Sequence, residues 1–162
     1  LNLKEVHIKA WTNPNNPGEK YLEDKIPVSA FNTQGGGGNS TLVNFVFPDK
    51  LKAIGDNAFT GCKNLSGSLI IPEGVVEIQR GAFTGCSSLN GTLSLPSTLK
   101  KLGTSGDGPD KDTKDEGIDY YNGVFSGCNN LTGNLIRNST RNFIHPKRSI
   151  YGMRFQWYSN IE

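Results

Sequence analysis

Carboxylates are the first candidates for chemistry in this chain. Residues 104–121 read TSGDGPDKDTKDEGIDYY and set Asp107, Asp110, Asp112, Asp115, Glu116 and Asp119 against Lys111 and Lys114, a local charge of 2 − 6 = −4. Carboxylates at alternating positions suit a calcium ion, which takes about six to eight oxygen ligands. Lys114, however, holds the fifth place counted from Asp110, and the glycine falls late. A solvated loop is therefore the first reading, with a calcium site and a partner-binding loop as alternatives.

The remaining reactive side chains offer less. Cys62, Cys86 and Cys128 are the only cysteines, spaced 86 − 62 = 24 and 128 − 86 = 42 residues apart. Zinc sites are built from closer pairs. These cysteines occupy equivalent places in a repeat, so their Cβ vectors point the same way and a disulfide between neighbours is disfavoured. A ladder of buried thiols packed as small hydrophobes is expected. His7 and His145, the only histidines, sit in no nucleophile motif, and nothing argues for Ser-His-acid catalysis. The stretch QGGGGNS (34–40) lacks the Lys-Ser/Thr of a phosphate-binding loop and is expected to be a flexible connection. The Asn-x-Ser/Thr triplets at Asn39, Asn64, Asn90, Asn130 and Asn138 are by-products of repeated turn sequences. No catalytic residue, cofactor or resident metal is expected.

Composition narrows the class further. The 162 residues suit one domain, 35% apolar and 20% charged, with 20 glycines that point to a body rich in turns and strands. A net charge of +2 is too small to draw nucleic acid or an anionic membrane surface. No apolar run reaches the ~20 residues of a spanning helix. Leu1 follows no charged-then-apolar leader, so a processed or excised chain is expected, with any lipid anchor or targeting segment upstream.

What would position these residues is a repeat. AFTGCKNLSG (58–67) recurs as AFTGCSSLNG (82–91). Phe59 to Phe83, Cys62 to Cys86, Leu65 to Leu89 and Leu69 to Leu93 each step by 24, as do Pro48, Pro72 and Pro96. A third copy, VFSGCNNLTG (124–133), lies one period plus 18 inserted residues later, since Phe125 follows Phe83 by 42. IPVSAF (26–31) matches IGDNAF (54–59) as a weaker first copy, with 34–38 absorbing four extra residues. Each unit carries an alternating stretch closed by proline (NFVFP, SLIIP, TLSLP), which has the period of a short strand. A second apolar pair follows: Leu51 with Ile54, Val75 with Ile78, Leu99 with Leu102. A turn or single helical turn bearing Ala-Phe and Gly-Cys completes the unit. So small a unit cannot bury its own apolar side, whereas stacking equal units builds a continuous core.

IGDNAFTGCKNL, IQRGAFTGCSSL and the strands ending in Ile-Pro or Leu-Pro resemble the BspA-like, Treponema-type leucine-rich repeat, over roughly residues 1–135. The opening LNLKEVHIKA…DKIPVSAF is similar to the leader coil of gut-bacterial members. The Leu65–Leu69 and Leu89–Leu93 spacings are four, where Leu42–Phe45 keeps the family's usual three. The resemblance implies a leucine-rich-repeat solenoid of about four stacked ~24-residue coils, with a short-stranded parallel β-sheet and few or single-turn helices. A single domain, 1–162, would comprise a leader coil (1–43), regular repeats (44–135) with the insertion 104–121, and a strand-rich C-terminal cap (136–162). In that last stretch Arg137 and Asn138 replace the apolar residue and proline of earlier units, and Tyr151, Phe155, Trp157 and Tyr158 are either cap residues or an aromatic ligand platform.

If Phe45, Phe47, Leu69, Ile71, Leu93 and Leu95 face inward, alternation turns two rows outward: Asn44, Ser68, Thr92 and Asn134, and Val46, Ile70, Ser94 and Ile136. None is charged. Such a surface suits extended contact with a protein or glycan better than catalysis. Members of the family are secreted or surface-anchored and linked to adhesion. A non-catalytic extracellular or cell-surface module that binds a protein or matrix ligand is therefore expected. A glycan-binding accessory protein and, behind it, an enzyme are the alternatives.

Overall fold

The computed structural model describes residues 1–14, 16–33, 37–104 and 123–132. Among the described residues the strands are all short. In chain order they are β1 (Trp11–Asn13), β2 (Asn16–Tyr21), β3 (Lys25–Ile26), β4 (Ala53–Ile54), β5 (Gly67–Ile70), β6 (Glu77–Gln79), β7 (Leu89–Ser94) and β8 (Lys101–Thr104).

Pairing follows the repeat. β3, β4, β6 and β8 form one parallel ladder, in which Ile26 lies beside Ile54, Ile54 beside Ile78 and Ile78 beside Leu102. β5 and β7 form a second parallel ladder, with Leu69 against Leu93 and Ile70 against Ser94. A single bridge from Thr92 to Thr132 extends it beyond β7, while Val46 bridges Asn2 of the N-terminal segment. The sequence pointed to one parallel sheet. Two ladders form because the residues around the second member of each apolar pair, Ile54, Ile78 and Leu102, are extended and bond to their counterparts. The NFVFP stretch, expected as a strand, contributes only the bridge at Val46. The register slips between Gly67 and Leu69, within the stretch where the leucine spacing widens to four.

The Ala-Phe-Thr-Gly-Cys segment folds as successive tight turns. N–H groups of Thr60, Cys62 and Leu65 donate to the carbonyls of Asn57, Phe59 and Cys62, each three residues back. Left-handed backbone at Asn57 (φ 53°) and Gly61 (φ 73°) stops this pattern from continuing as a helix. Among the described residues no helix occurs, so turns replace the single helical turn that the sequence allowed. Between repeats the same segment is bonded lengthwise: Phe59 N–H donates to Ala82 O at 2.7 Å and Gly61 N–H to Thr84 O at 2.7 Å.

Equal spacing places like side chains on like. Phe31, Phe59, Phe83 and Phe125 stack in one row, with centroids 4.7, 5.0 and 5.7 Å apart and planes within 15°, 6° and 12°. Leu51, Ile54, Val75 and Ile78 line the same core and are fully buried. Register survives the insertion. Phe83 N–H donates to Val124 O at 2.8 Å, Gly85 N–H to Ser126 O at 2.7 Å and Leu93 N–H to Thr132 O at 2.7 Å. Residues 123–132 thus lie on the preceding repeat as that repeat lies on its own predecessor.

The N-terminal residues depart from the repeat. β1 and β2 form an antiparallel hairpin set between Ile8, whose carbonyl accepts the Asp24 N–H at 2.8 Å, and β3. His7 Nε2 lies 3.0 Å from Glu23 Oε1 at the base of this hairpin.

Candidate ligand-facing surface

The β5–β7 ladder sorts its side chains as the alternation requires. Leu69, Ile71 and Leu93 are buried, as is Phe47, while Phe45 and Leu95 are half-buried against the core. Asn44, Val46, Ser68, Ile70, Thr92 and Ser94 are all exposed. Val46 is 43% and Ile70 55% accessible, so the face carries a small aliphatic ridge between polar neighbours. Thr92 N–H donates to Ser68 Oγ at 3.0 Å, which holds one repeat to the next and leaves the Ser68 hydroxyl proton to donate elsewhere. Asn134 and Ile136 lie outside the described residues.

Beyond the strand end, Glu73 accepts hydrogen bonds from Ser97 N and Ser97 Oγ, both at 3.0 Å. The backbone bond comes first among the causes that hold its carboxyl below the usual range. It stands three residues beyond Ile70, and both its carboxylate oxygens accept hydrogen bonds.

The sequence-derived chemical candidates sort as follows. Cys62, Cys86 and Cys128 are free and fully buried, and they form a ladder. Each thiol donates to the phenylalanine carbonyl of the preceding unit: Cys62 to Phe31 at 3.5 Å, Cys86 to Phe59 at 3.1 Å and Cys128 to Phe83 at 3.1 Å. Burial pushes the Cys62 thiol up. Cys86 is pushed well above the ordinary thiol range by its interaction with the Cys128 thiol and then by burial. Among the described residues no group of His, Cys, Asp and Glu could hold a metal ion. The acidic insertion, including every residue of the calcium alternative, lies outside the described residues. So do Asn138, His145, the cap and the aromatic platform.

Three features escaped the sequence reading. Gly38, assigned there to a flexible connection, is buried with φ 66°, and a Cβ on it would fall on the Gly61 carbonyl. The extra residues of the first repeat are therefore spent before Gly38, which packs against Gly61 as Gly61 packs near Gly85. Gln79 is fully buried and accepts the Asp56 N–H at 3.1 Å, although the equivalent places one period away are Gly55 and Gly103. The departure from glycine at that place was the available signal. Trp11 and Tyr21 pair across the hairpin with centroids 5.4 Å apart, and Trp11 is half-exposed. The turn-forming PNNPG between them marks the hairpin.

Parallel ladders at a fixed period, a row of stacked rings and an uncharged outward face define a leucine-rich-repeat protein. The chain belongs to the BspA-type leucine-rich repeat family: six copies of that region match residues 25–106, which is 106 − 25 + 1 = 82 of 162 residues. No curated protein and no solved structure matches the chain. Domains of this family are generally protein-interaction or surface modules. Among the described residues no helix is long and apolar enough to cross a membrane.

Proposed function

We propose that the repeats form a right-handed solenoid of about four coils and that the protein is a non-catalytic, extracellular or cell-surface interaction module. Its ligand, a protein or matrix component, lies along the outward face of the β5–β7 ladder. One observation carries this reading: six outward residues, Asn44, Val46, Ser68, Ile70, Thr92 and Ser94, are exposed and uncharged, and the last four lie on the paired strands β5 and β7. Short side chains let a partner approach the sheet closely, and the Val46–Ile70 ridge gives apolar area whose burial stabilises contact by roughly 25 cal/mol per Å². Asn134 and Ile136 would extend the two rows by one coil.

The test is an array of extracellular-matrix proteins and glycans probed with the purified chain, with Ile70→Lys and Ser94→Lys alongside. A matrix-protein ligand whose binding falls at least tenfold in both variants is the expected result. Binding confined to glycans would select the accessory-protein alternative. A ligand indifferent to both lysines would place the site elsewhere.

A further inference from the structure

Among the described residues, the β1–β2 hairpin is the part that the repeat does not explain. Its strands pair only with each other, and a two-stranded ribbon is marginally stable in water. Trp11 and Tyr21 brace it. They stand opposite each other in register, with centroids 5.4 Å apart and planes 37° from parallel. Bracing does not use up the indole, since Trp11 keeps 50% of its surface accessible. Every described phenylalanine, by contrast, lies in the core or packs against it.

The residues beside the rings define what the indole can hold. The bond from Asp24 N–H to Ile8 O continues the hairpin register, since 8 + 24 = 11 + 21 = 32. Lys9 therefore lies opposite Glu23, and alternation places both on the side of the ribbon that bears Trp11 and Tyr21. Glu23 has a partner in His7, whose Nε2 is 3.0 Å from its Oε1. Lys9 is exposed, and among the described residues its ammonium enters no ion pair. Ile8, Ala10 and Leu22 fall on the other side of the ribbon. A protein-binding hot spot is ringed by contacts that exclude water. Here the half-exposed indole has charged neighbours instead, which suits a ligand that is itself hydrated.

We propose that this side of the hairpin binds a carboxylated saccharide. The electron-rich face of the indole attracts the C–H groups of a pyranose ring. The Lys9 ammonium pairs with the sugar carboxylate, and the hydroxyls stay in contact with water. The site shares no residue with the outward face of the β5–β7 ladder, so either reading can fail without the other.

Isothermal titration calorimetry of the full chain tests this against uronate and sialate oligosaccharides, each with its methyl ester as the uncharged control. At least one acid should bind, and Trp11→Ala should weaken it by roughly tenfold or more. Lys9→Gln should weaken the acid by about 1.5- to 5-fold, the worth of an exposed ion pair, and leave the ester unchanged. No binding of any acid would overturn the proposal, as would an ester that binds as tightly as its acid. So would acid binding that survives Trp11→Ala but is lost in Ile70→Lys, because the ladder would then hold the sugar. A matrix protein that needs Trp11 while no saccharide binds would give the hairpin to a protein partner instead and overturn it too. If Trp11→Ala unfolds the hairpin, the comparison of acid with ester in Lys9→Gln decides.

Discussion

Replacing Phe83 by alanine is the sharpest test of the stack. The ring is fully buried, lies flat between Phe59 at 5.0 Å and Phe125 at 5.7 Å, and meets Phe47 edge-on at 6.4 Å. Truncating a buried phenylalanine costs about 3–5 kcal/mol, because transferred area is lost and the cavity collapses only in part. Each stacked pair adds about 0.5–1.5 kcal/mol beyond area, which puts Phe83→Ala near the top of that range, about 4–5 kcal/mol. Phe31 is half-buried and stacks on one ring only, at 4.7 Å. Phe31→Ala is therefore expected to cost about 2–3 kcal/mol. With urea m-values of about 2–3 kcal/mol/M, the midpoint should fall by ~1.5–2 M for Phe83→Ala and by ~1 M for Phe31→Ala. Equilibrium urea melts followed by circular dichroism measure both. Equal losses, or a loss under about 2 kcal/mol at Phe83, would refute a core built from rings covered on both faces.

Other outcomes follow from single residues. Gly38→Ala should destabilise by about 2–4 kcal/mol, since it adds left-handed strain to a clash with backbone. Gly37→Ala, whose Cβ would rest 3.4 Å from Thr33 Oγ1, is the control and should change the melting midpoint little. Cys62, Cys86 and Cys128 should resist a thiol reagent in the native protein and react together once it is unfolded; rapid native labelling of any one would contradict the buried ladder. Asp56 is held above its ordinary pKa of 3.8 chiefly by desolvation, against the pull of Arg80 and Lys25. A carboxyl raised in the folded state stabilises while protonated, and that contribution is lost as pH rises from the unfolded value through the folded one. Asp56→Asn should therefore gain stability relative to wild type between pH 3 and pH 7 in urea melts. A difference that shrinks over that interval would show the Arg80 interaction to dominate.

How much of this was legible depended on whether a residue's role repeats. Phe59 and Phe83, Cys62 and Cys86 and the leucine rows recur at 24 residues, and Phe125 and Cys128 follow at that period plus the 18 inserted residues, so their stacking follows from the period. The second ladder was harder to see. The strands around Ile54, Ile78 and Leu102 carry too few residues to display a period of two, and pairing with the neighbouring unit is what makes them strands. Gly38 was obscured because it is the last of four consecutive glycines, which together have the composition of a flexible run. Gln79 was obscured because a lone polar residue beside an apolar pair looks exposed until its partner, Asp56 N–H, is known. The outward rows were legible as positions, since alternation sorts the sides of a strand. What binds them was not, because the chemistry of a ligand leaves no period.

The two sides of each repeat are constrained differently, and this decides where recognition can be written. In the Ala-Phe-Gly-Cys turns the Phe and Gly N–H groups, the thiols and the Thr60 hydroxyl are all spent on the neighbouring unit. A change there alters stacking before it alters anything outside. The inward row of the β5–β7 ladder is fixed by volume, since Phe47, Ile71 and Leu93 fill one core. The outward row is not fixed by volume and, apart from the Ser68 hydroxyl that accepts the Thr92 N–H, is not spent on the neighbouring unit. Its residues differ from unit to unit, with Val46, Ile70 and Ser94 in one line and Asn44, Ser68 and Thr92 in the other. If the face recognises a ligand, its selectivity must come from that unit-to-unit variation in side chains. Making the rows uniform, with Ser94→Ile and Asn44→Ser, should then leave the melting midpoint nearly unchanged, as surface substitutions usually stay within about 0.5 kcal/mol. The same change should lower affinity for the ligand found on the array. A fall in stability with affinity intact would assign the outward residues to the scaffold instead.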